Sequence, residues 1–303
     1  MKYVILALSV LLMNFNEPGK IARLESQASA NPNNWQVRLK LAEIFLNQAN
    51  FSNAQKYLME AQDIYHVSSP DSCSADLSYL WGLNYDYQDN IPKAIDYYNN
   101  AIACDSLCGK AWRKLGYLHE VFSNAEQMLY CFRKALAGDG PSAGLHYDIG
   151  VAYDMLDSLP QAIASYQKAL ALTDTLPEAY LNMGVDLAML GHPDSANYYF
   201  ALAAKGGLET PELYYNIGVM MADSGKIDEA IENFMKVLAL DPRYSPAKLR
   251  LGDLYESLGD SGMAKVYYED FVQTATLLYS DDVTKVKDKL SKYPHPADSL
   301  SSQ

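Results

Sequence analysis

The sequence predicts an all-α, right-handed α-solenoid of about seven 34-residue helix-turn-helix repeats with capping helices. Three observations carry that expectation. Glycines recur at Gly82, Gly116, Gly150, Gly184, Gly218 and Gly252, each 34 residues from the next, in a chain of 303 residues with only 17 glycines. Twelve residues after each stands Ala94, Met128, Ala162, Ala196, Ala230 or Ala264, and four further on an aromatic residue, Tyr98, Phe132, Tyr166, Phe200, Phe234 or Tyr268. Around this lattice the apolar residues keep the i, i+3, i+4, i+7 spacing of helices with one buried stripe. A glycine inside a helix costs about 1 kcal/mol of propensity relative to alanine. Keeping it at one phase six times therefore implies a close crossing of the two helices, Gly against Ala, with the ring filling the space beside the contact.

Residues 211–244 display the unit most cleanly. The first helix opens with Pro211 and Glu212, a proline and an acid suited to a first helical turn, and its apolar face carries Tyr214, Ile217, Gly218 and Met221. Gly225 stops it; Asp228 starts the second helix, whose inner face is Ala230, Ile231, Phe234, Val237 and Leu238; Pro242 closes the unit. Neither helix can bury its stripe alone, so the unit needs neighbours. The period and the Gly…Ala…aromatic…Pro pattern resemble the tetratricopeptide repeat (TPR) family over residues 35–278.

In chain order, residues 1–13 begin Met1-Lys2 and continue as an apolar run to Met13. That run has the length of a signal-peptide core and is too short to span a bilayer as a helix. Export is the favoured reading, with a periplasmic or other extracytoplasmic location; a capping segment or a start at Met13 in a cytoplasmic protein are the alternatives. Residues 14–34, with Ile21, Leu24 and Ala28 in phase, read as an N-terminal cap or half repeat. The first full repeat starts at Trp35 and the next at Ala75, six residues late, the surplus falling in a Ser/Pro/Asp turn at 66–73. Further repeats start at Gly109, Ala143, Pro177, Pro211 and Ser245. The third has Ser123, Asn124 and Met128 where the others have Gly/Asp turns and Ala, so its helices are expected to lie further apart. Residues 279–293 read as a capping helix with Val283, Val286 and Leu290 inward and Lys285, Lys287 and Lys289 outward, and 294–303 as a disordered tail.

A net charge of −13 and a pI near 4.8 oppose nucleic-acid binding, where the phosphate term would be repulsive. The chain has no Walker A, dinucleotide or nucleophile-elbow motif. Its five histidines lie scattered; His119 and His146, inward on adjacent first helices, read as hydrogen-bonded core residues. No catalytic residue, metal, cofactor or small-molecule substrate is expected. Of four cysteines, Cys73 precedes the first helix of its repeat while Cys104 and Cys108 follow the second, so Cys73 can reach either as a disulfide.

What remains is a surface. The resemblance implies that repeat positions 2, 5, 9 and 12 of the first helices line a concave groove for a partner peptide. Positions 5 and 9 supply Tyr79, Leu83, Tyr117, Tyr147, Val151, Leu181, Val185, Tyr215 and Val219, an apolar row suited to an extended or helical peptide. Asp148, Asn182 and Asn216 align at position 6, where side-chain amides can bond a peptide backbone. The competing reading makes this row ordinary core between repeats. Lys110, Arg113 and Lys114 form a basic patch resembling one repeat of a carboxylate clamp, but Leu39, Glu43 and Leu80 stand where that clamp needs basic or amide groups. The trio is read as offsetting an acidic chain or accepting a partner's acidic side chain. The expected function is a non-catalytic protein-interaction scaffold, with structural self-association, as a homo-oligomer, or a regulatory subunit of a separate enzyme as alternatives.

Overall fold

A computed structural model describes residues 17–69, 72–173 and 175–293. Among them are sixteen α-helices, one 3-10 turn and no strand. The helices are α1 (Glu17–Ala30), α2 (Trp35–Asn47), α3 (Phe51–Ser68), α4 (Ala75–Asp86), α5 (Ile91–Cys104), α6 (Gly109–Val121), α7 (Ala125–Asp139) and α8 (Ala143–Met155). They continue as α9 (Leu159–Leu170), α10 (Pro177–Met189), α11 (Pro193–Lys205), α12 (Pro211–Asp223), α13 (Ile227–Leu240), α14 (Ser245–Ser257), α15 (Ser261–Thr274) and α16 (Ser280–Leu290). The chain forms two compact bodies, residues 1–161 and 162–303, the boundary falling inside α9. In the N-terminal body α2 pairs with α3, α4 with α5 and α6 with α7, and α1 packs on α2. In the C-terminal body the pairs are α10–α11, α12–α13 and α14–α15, with α16 against α15.

Local chemistry sets the helix boundaries. Side chains of Asn34, Asn50, Ser74, Asn90, Asn124, Ser142, Thr210 and Asp260 each accept the backbone N–H three residues on, satisfying a donor that the first turn leaves unpaired. Between first and second helices the chain turns through one left-handed residue. That residue is Gly191, Gly225 or Gly259 (φ 75 to 77°) in three repeats, but Ala49, Asp89, Ser123 or Asp157 (φ 53 to 55°) in four others.

The lattice glycines face the rings themselves. A Cβ on Gly82 would lie 2.5 Å from Tyr98, on Gly116 2.4 Å from Phe132, on Gly184 2.5 Å from Phe200, on Gly218 2.8 Å from Phe234 and on Gly252 2.5 Å from Tyr268. The atoms nearest each of these glycines are thus those of the aromatic ring, which lies on the glycine rather than beside it. These rings are essentially fully buried, as are Ala94, Ala196, Ala230 and Ala264.

The third repeat is as tight as the rest, contrary to the expectation that its helices separate. Ser123 adopts the left-handed turn conformation used by glycine elsewhere, and Asn124 caps α7. Met128, unbranched and adaptable, is buried where the other repeats use alanine. At the C-terminal end Val286 is buried, with Val283 and Leu290 packed beside it. Lys289 does not point outward as expected. Its Nζ donates to Asp253 at 3.0 Å, Glu256 at 2.7 Å and the Tyr268 hydroxyl at 2.8 Å, because the acids of α14 form a site within its reach. Among the described residues no helix is long and apolar enough to cross a membrane. The expected signal segment 1–13 and tail 294–303 lie outside the described residues.

Candidate functional site

The position-5 and position-9 row takes two different forms in the two bodies. In the N-terminal body it is built over by the basic residues of α6. Lys110 ion-pairs with Asp76 and stands 4.7 Å from the Tyr79 ring centre, while that ring packs against Tyr98 at 5.9 Å. Lys114 reaches Asp86 at 3.3 Å and the Tyr87 ring at 5.3 Å; Asp86, itself buried, also accepts from the Tyr98 hydroxyl at 3.0 Å. Arg113 grips Asp148 through Nη2 at 2.8 Å and Nε at 3.0 Å, and its guanidinium lies 5.5 Å from the Tyr117 ring. The Tyr117 hydroxyl donates to the same Asp148 oxygen at 2.8 Å.

Two expectations change on this geometry. Lys110, Arg113 and Lys114 are not a free basic patch, because each is paired with a carboxylate of a neighbouring first helix, a pairing that the 34-residue period makes between successive repeats. Leu83 is 8% exposed and belongs to the core. Asp148 is likewise consumed; burial raises its carboxyl above the ordinary aspartate range, against the opposing pull of Arg113. Burial also raises the Tyr79 and Tyr117 phenols. Tyr147 and Val151 are half-buried on α8, Val151 against the cluster around Phe132 and Ile149.

Among the described residues of the C-terminal body, no lysine or arginine ion-pairs with an acid over the row in this way. Leu181, Asn182 and Val185 on α10, and Tyr215, Asn216 and Val219 on α12, are all half-buried. Leu181 and Val185 flank the cluster of Phe200 and Leu213, and Tyr215 and Val219 that of Phe234 and Leu251. The two amides differ: Asn182 donates to the Tyr166 hydroxyl at 3.1 Å, whereas the Asn216 side chain has no hydrogen-bond partner among the described residues. Tyr215 packs against Phe234 at 5.6 Å and Tyr244 at 5.5 Å, and Arg250 lies near its hydroxyl. Tyr244 is not among the residues that the sequence pattern assigns to the groove. Its signal is a lone aromatic at the final repeat position, where the second, third and fifth repeats have Cys108, Ser142 and Thr210.

Cys73 pairs with Cys104 as a disulfide, with Cα atoms 5.5 Å apart, tying the entry of α4 to the end of α5. The alternative partner Cys108 is a buried free thiol, as is Cys131, whose pKa burial pushes up to about 11. His119 and His146 are half-buried, and among the described residues no group of three or more His, Cys, Asp or Glu is placed to hold a metal ion.

Known proteins share this geometry. The tetratricopeptide repeat pattern matches residues 156–191, 211–244 and 245–275. No curated protein matches the chain. Among solved structures, PilF of Pseudomonas aeruginosa superposes with a TM-score of 0.59 at 19% identity, over 69% of this chain and 92% of PilF. PilW, a type IV pilus biogenesis factor, gives 0.60 at 19% identity over 70% of this chain and 97% of PilW. YrrB, a TPR protein with an unusual peptide-binding site, gives 0.51 at 22% identity over 60% of this chain and 93% of YrrB. With the repeat signature matched three times and the same glycine-on-ring packing in five repeats, the chain belongs to the tetratricopeptide repeat family.

Proposed function

We propose that this protein is a non-catalytic scaffold whose C-terminal body holds a segment of a partner protein against α10 and α12. The observation that carries the reading is the contrast between the bodies: among the described residues no lysine or arginine lies over Leu181, Val185, Val219 or the face of the Tyr215 ring, where Arg250 comes near the hydroxyl alone, whereas Lys110 and Arg113 lie over the Tyr79 and Tyr117 rings. Half-buried apolar groups in a row, with an amide in reach of a peptide backbone, suit an extended segment. The fold shared with PilF, PilW and YrrB supports a role in protein interaction. The Cys73–Cys104 disulfide and the apolar start of the chain favour an exported protein, since such bonds persist in oxidising compartments; a cytoplasmic location is the alternative.

Site-specific photo-crosslinking in the native host tests this. A photoreactive residue at Val185 or Val219 should capture one recurrent adduct, and the same group at exposed Tyr198 on α11 should not. Equal adducts from all three positions would refute the assignment. Self-association is a second reading, favoured by Leu277 and Leu278, which are 94% and 83% exposed between α15 and α16. Sedimentation of the wild type as a monomer at micromolar concentration would exclude it.

A further inference from the structure

The internal repetition also indicates what kind of side chain the partner presents. In the N-terminal body, the acid at repeat position 2 and the tyrosine at position 5, Asp76 and Tyr79, together receive Lys110, which stands at position 2 of the next repeat. The C-terminal body repeats the first half of that arrangement. Glu212 is the acid at position 2 and Tyr215 the tyrosine at position 5 of α12, and the Tyr215 ring packs on Phe234 as Tyr79 packs on Tyr98. At the position of Lys110, however, the next repeat carries Pro246, so the chain supplies no cation of its own from there. In its stead Tyr244 brings a second ring to Tyr215, centroids 5.5 Å apart and planes inclined by 46°. Two inclined rings, with a carboxylate three residues before one of them on the same helix, are the environment in which an ammonium or guanidinium is bound through both ring faces and charge.

We propose that Glu212, Tyr215 and Tyr244 receive a lysine or arginine side chain of the partner segment, while Val185 and Val219 contact apolar residues of the same segment. This rests on the groove reading above. Three further observations agree with it. Glu212 is exposed, with no ion pair among the described residues, and so is available to a partner. Burial, with the Glu212 charge adding to it, raises the Tyr244 phenol to about 12, so the ring lies within the field of that carboxylate. Arg250 lies near the Tyr215 hydroxyl and within the influence of Asp253 and Asp223. Its charge is thereby opposed locally by acids, and the Tyr215 ring is held by its contacts with Phe234 and Tyr244. A chain of net charge −13 also draws basic segments over longer range.

The test is selection of random short peptides displayed on phage against the full-length chain, followed by affinity measurement of the enriched sequences as synthetic peptides. Lysine or arginine should be enriched at a fixed distance from apolar residues. Replacing that residue with norleucine, or the protein's Glu212 with Gln, should each weaken binding roughly tenfold, with losses that are not additive because they remove one interaction. Tyr244→Leu should weaken the basic peptide and leave its norleucine version nearly unaffected. Peptides that lose affinity with Val185→Ser/Val219→Ser but show no basic preference, or ignore Glu212→Gln, would overturn this proposal while leaving the groove intact. Peptides indifferent to Val185→Ser/Val219→Ser, or a selection that enriches none, would overturn the groove reading, and this proposal with it. Circular dichroism of each variant establishes that it is folded.

Discussion

Gly82 lies directly against the ring of Tyr98: a Cβ on the glycine would fall 2.5 Å from Cδ1 and Cε1 of the tyrosine. The ring is fully buried and its hydroxyl donates to Asp86, so it cannot swing aside without breaking a buried hydrogen bond. Gly82→Ala should therefore destabilise the α4–α5 repeat. Overpacking costs about 1–3 kcal/mol, and the gain of about 1 kcal/mol in helix propensity offsets part of it. Hydrogen exchange of α4 and α5 amides should speed up accordingly, and Tyr98→Leu in the same background should recover part of the loss. Losses that simply add would mean that the ring is not what the glycine accommodates.

The turn between first and second helices offers a change of opposite sign. Ala49 adopts φ 54° where Gly225 adopts 75° in its own repeat. A left-handed conformation costs an alanine about 1–2 kcal/mol, of which the extra freedom of an unfolded glycine takes back part. Ala49→Gly should raise stability by about 0.5–1 kcal/mol and Gly225→Ala should lower it by a similar amount, read from denaturant midpoints. A stabilising Gly225→Ala would contradict the turn geometry.

How far the sequence is legible follows from where the information lies. The 34-residue lattice is a property of each helix pair, and the spacing of Gly, Ala and ring therefore carries the fold. It does not say that the ring lies directly on the glycine, since a ring beside the contact is equally consistent with a close crossing. The third repeat looks irregular because Ser123 and Met128 differ chemically from Gly and Ala, yet one can adopt a left-handed turn and the other can bend into the available space. Arg113, Lys114 and Lys289 depart from expectation for a different reason. Their partners, Asp148, Asp86 and Glu256, lie 28 to 35 residues away in the sequence, and long flexible side chains choose among several such acids only once the helices are packed. Tyr244 shows in the repeat only as a lone aromatic at the final position, and its contact with Tyr215 forms only once the helices are packed.

The Cys73–Cys104 bond closes a loop of sequence separation 31, for which the chain-entropy model gives about 3–4 kcal/mol. Cys73→Ser should lower the stability of the α4–α5 repeat by about 3 kcal/mol in oxidising buffer and leave it nearly unchanged in reducing buffer. Thiol labelling of native protein purified from its host should modify Cys73 only after reduction, and Cys108 and Cys131, both buried, only after unfolding. Labelling of Cys73 without reduction would remove the main support for an oxidising location.

Docking of α16 should depend on acidity. The hydrogen bond from Lys289 is the main cause that holds the Glu256 carboxyl below its ordinary value. A depressed folded pKa means stabilisation that is present above the unfolded value, about 4.3 for a glutamate, and is lost as the pH falls through the folded value. Lys289 is shifted upward by its bonds to Glu256, Tyr268 and Asp253, which outweigh burial, so the ammonium stays charged up to the ordinary lysine range and the low-pH loss is set by its acid partners. Hydrogen exchange of α16, corrected for intrinsic rates, should show protection that is constant near neutrality and falls below about pH 4. Lys289→Met should lower that protection near neutrality and flatten its pH dependence; an unchanged profile would show that this ion cluster does not hold the helix.

The central claim stands or falls on whether the α10–α12 face binds a peptide. The decisive measurement is the affinity of a selected peptide for the wild type and for Val185→Ser/Val219→Ser, with helicity compared by circular dichroism. Removing two half-buried valine side chains from the binding face should weaken binding by at least about tenfold at unchanged helix content. Equal affinity for the two proteins would contradict the claim.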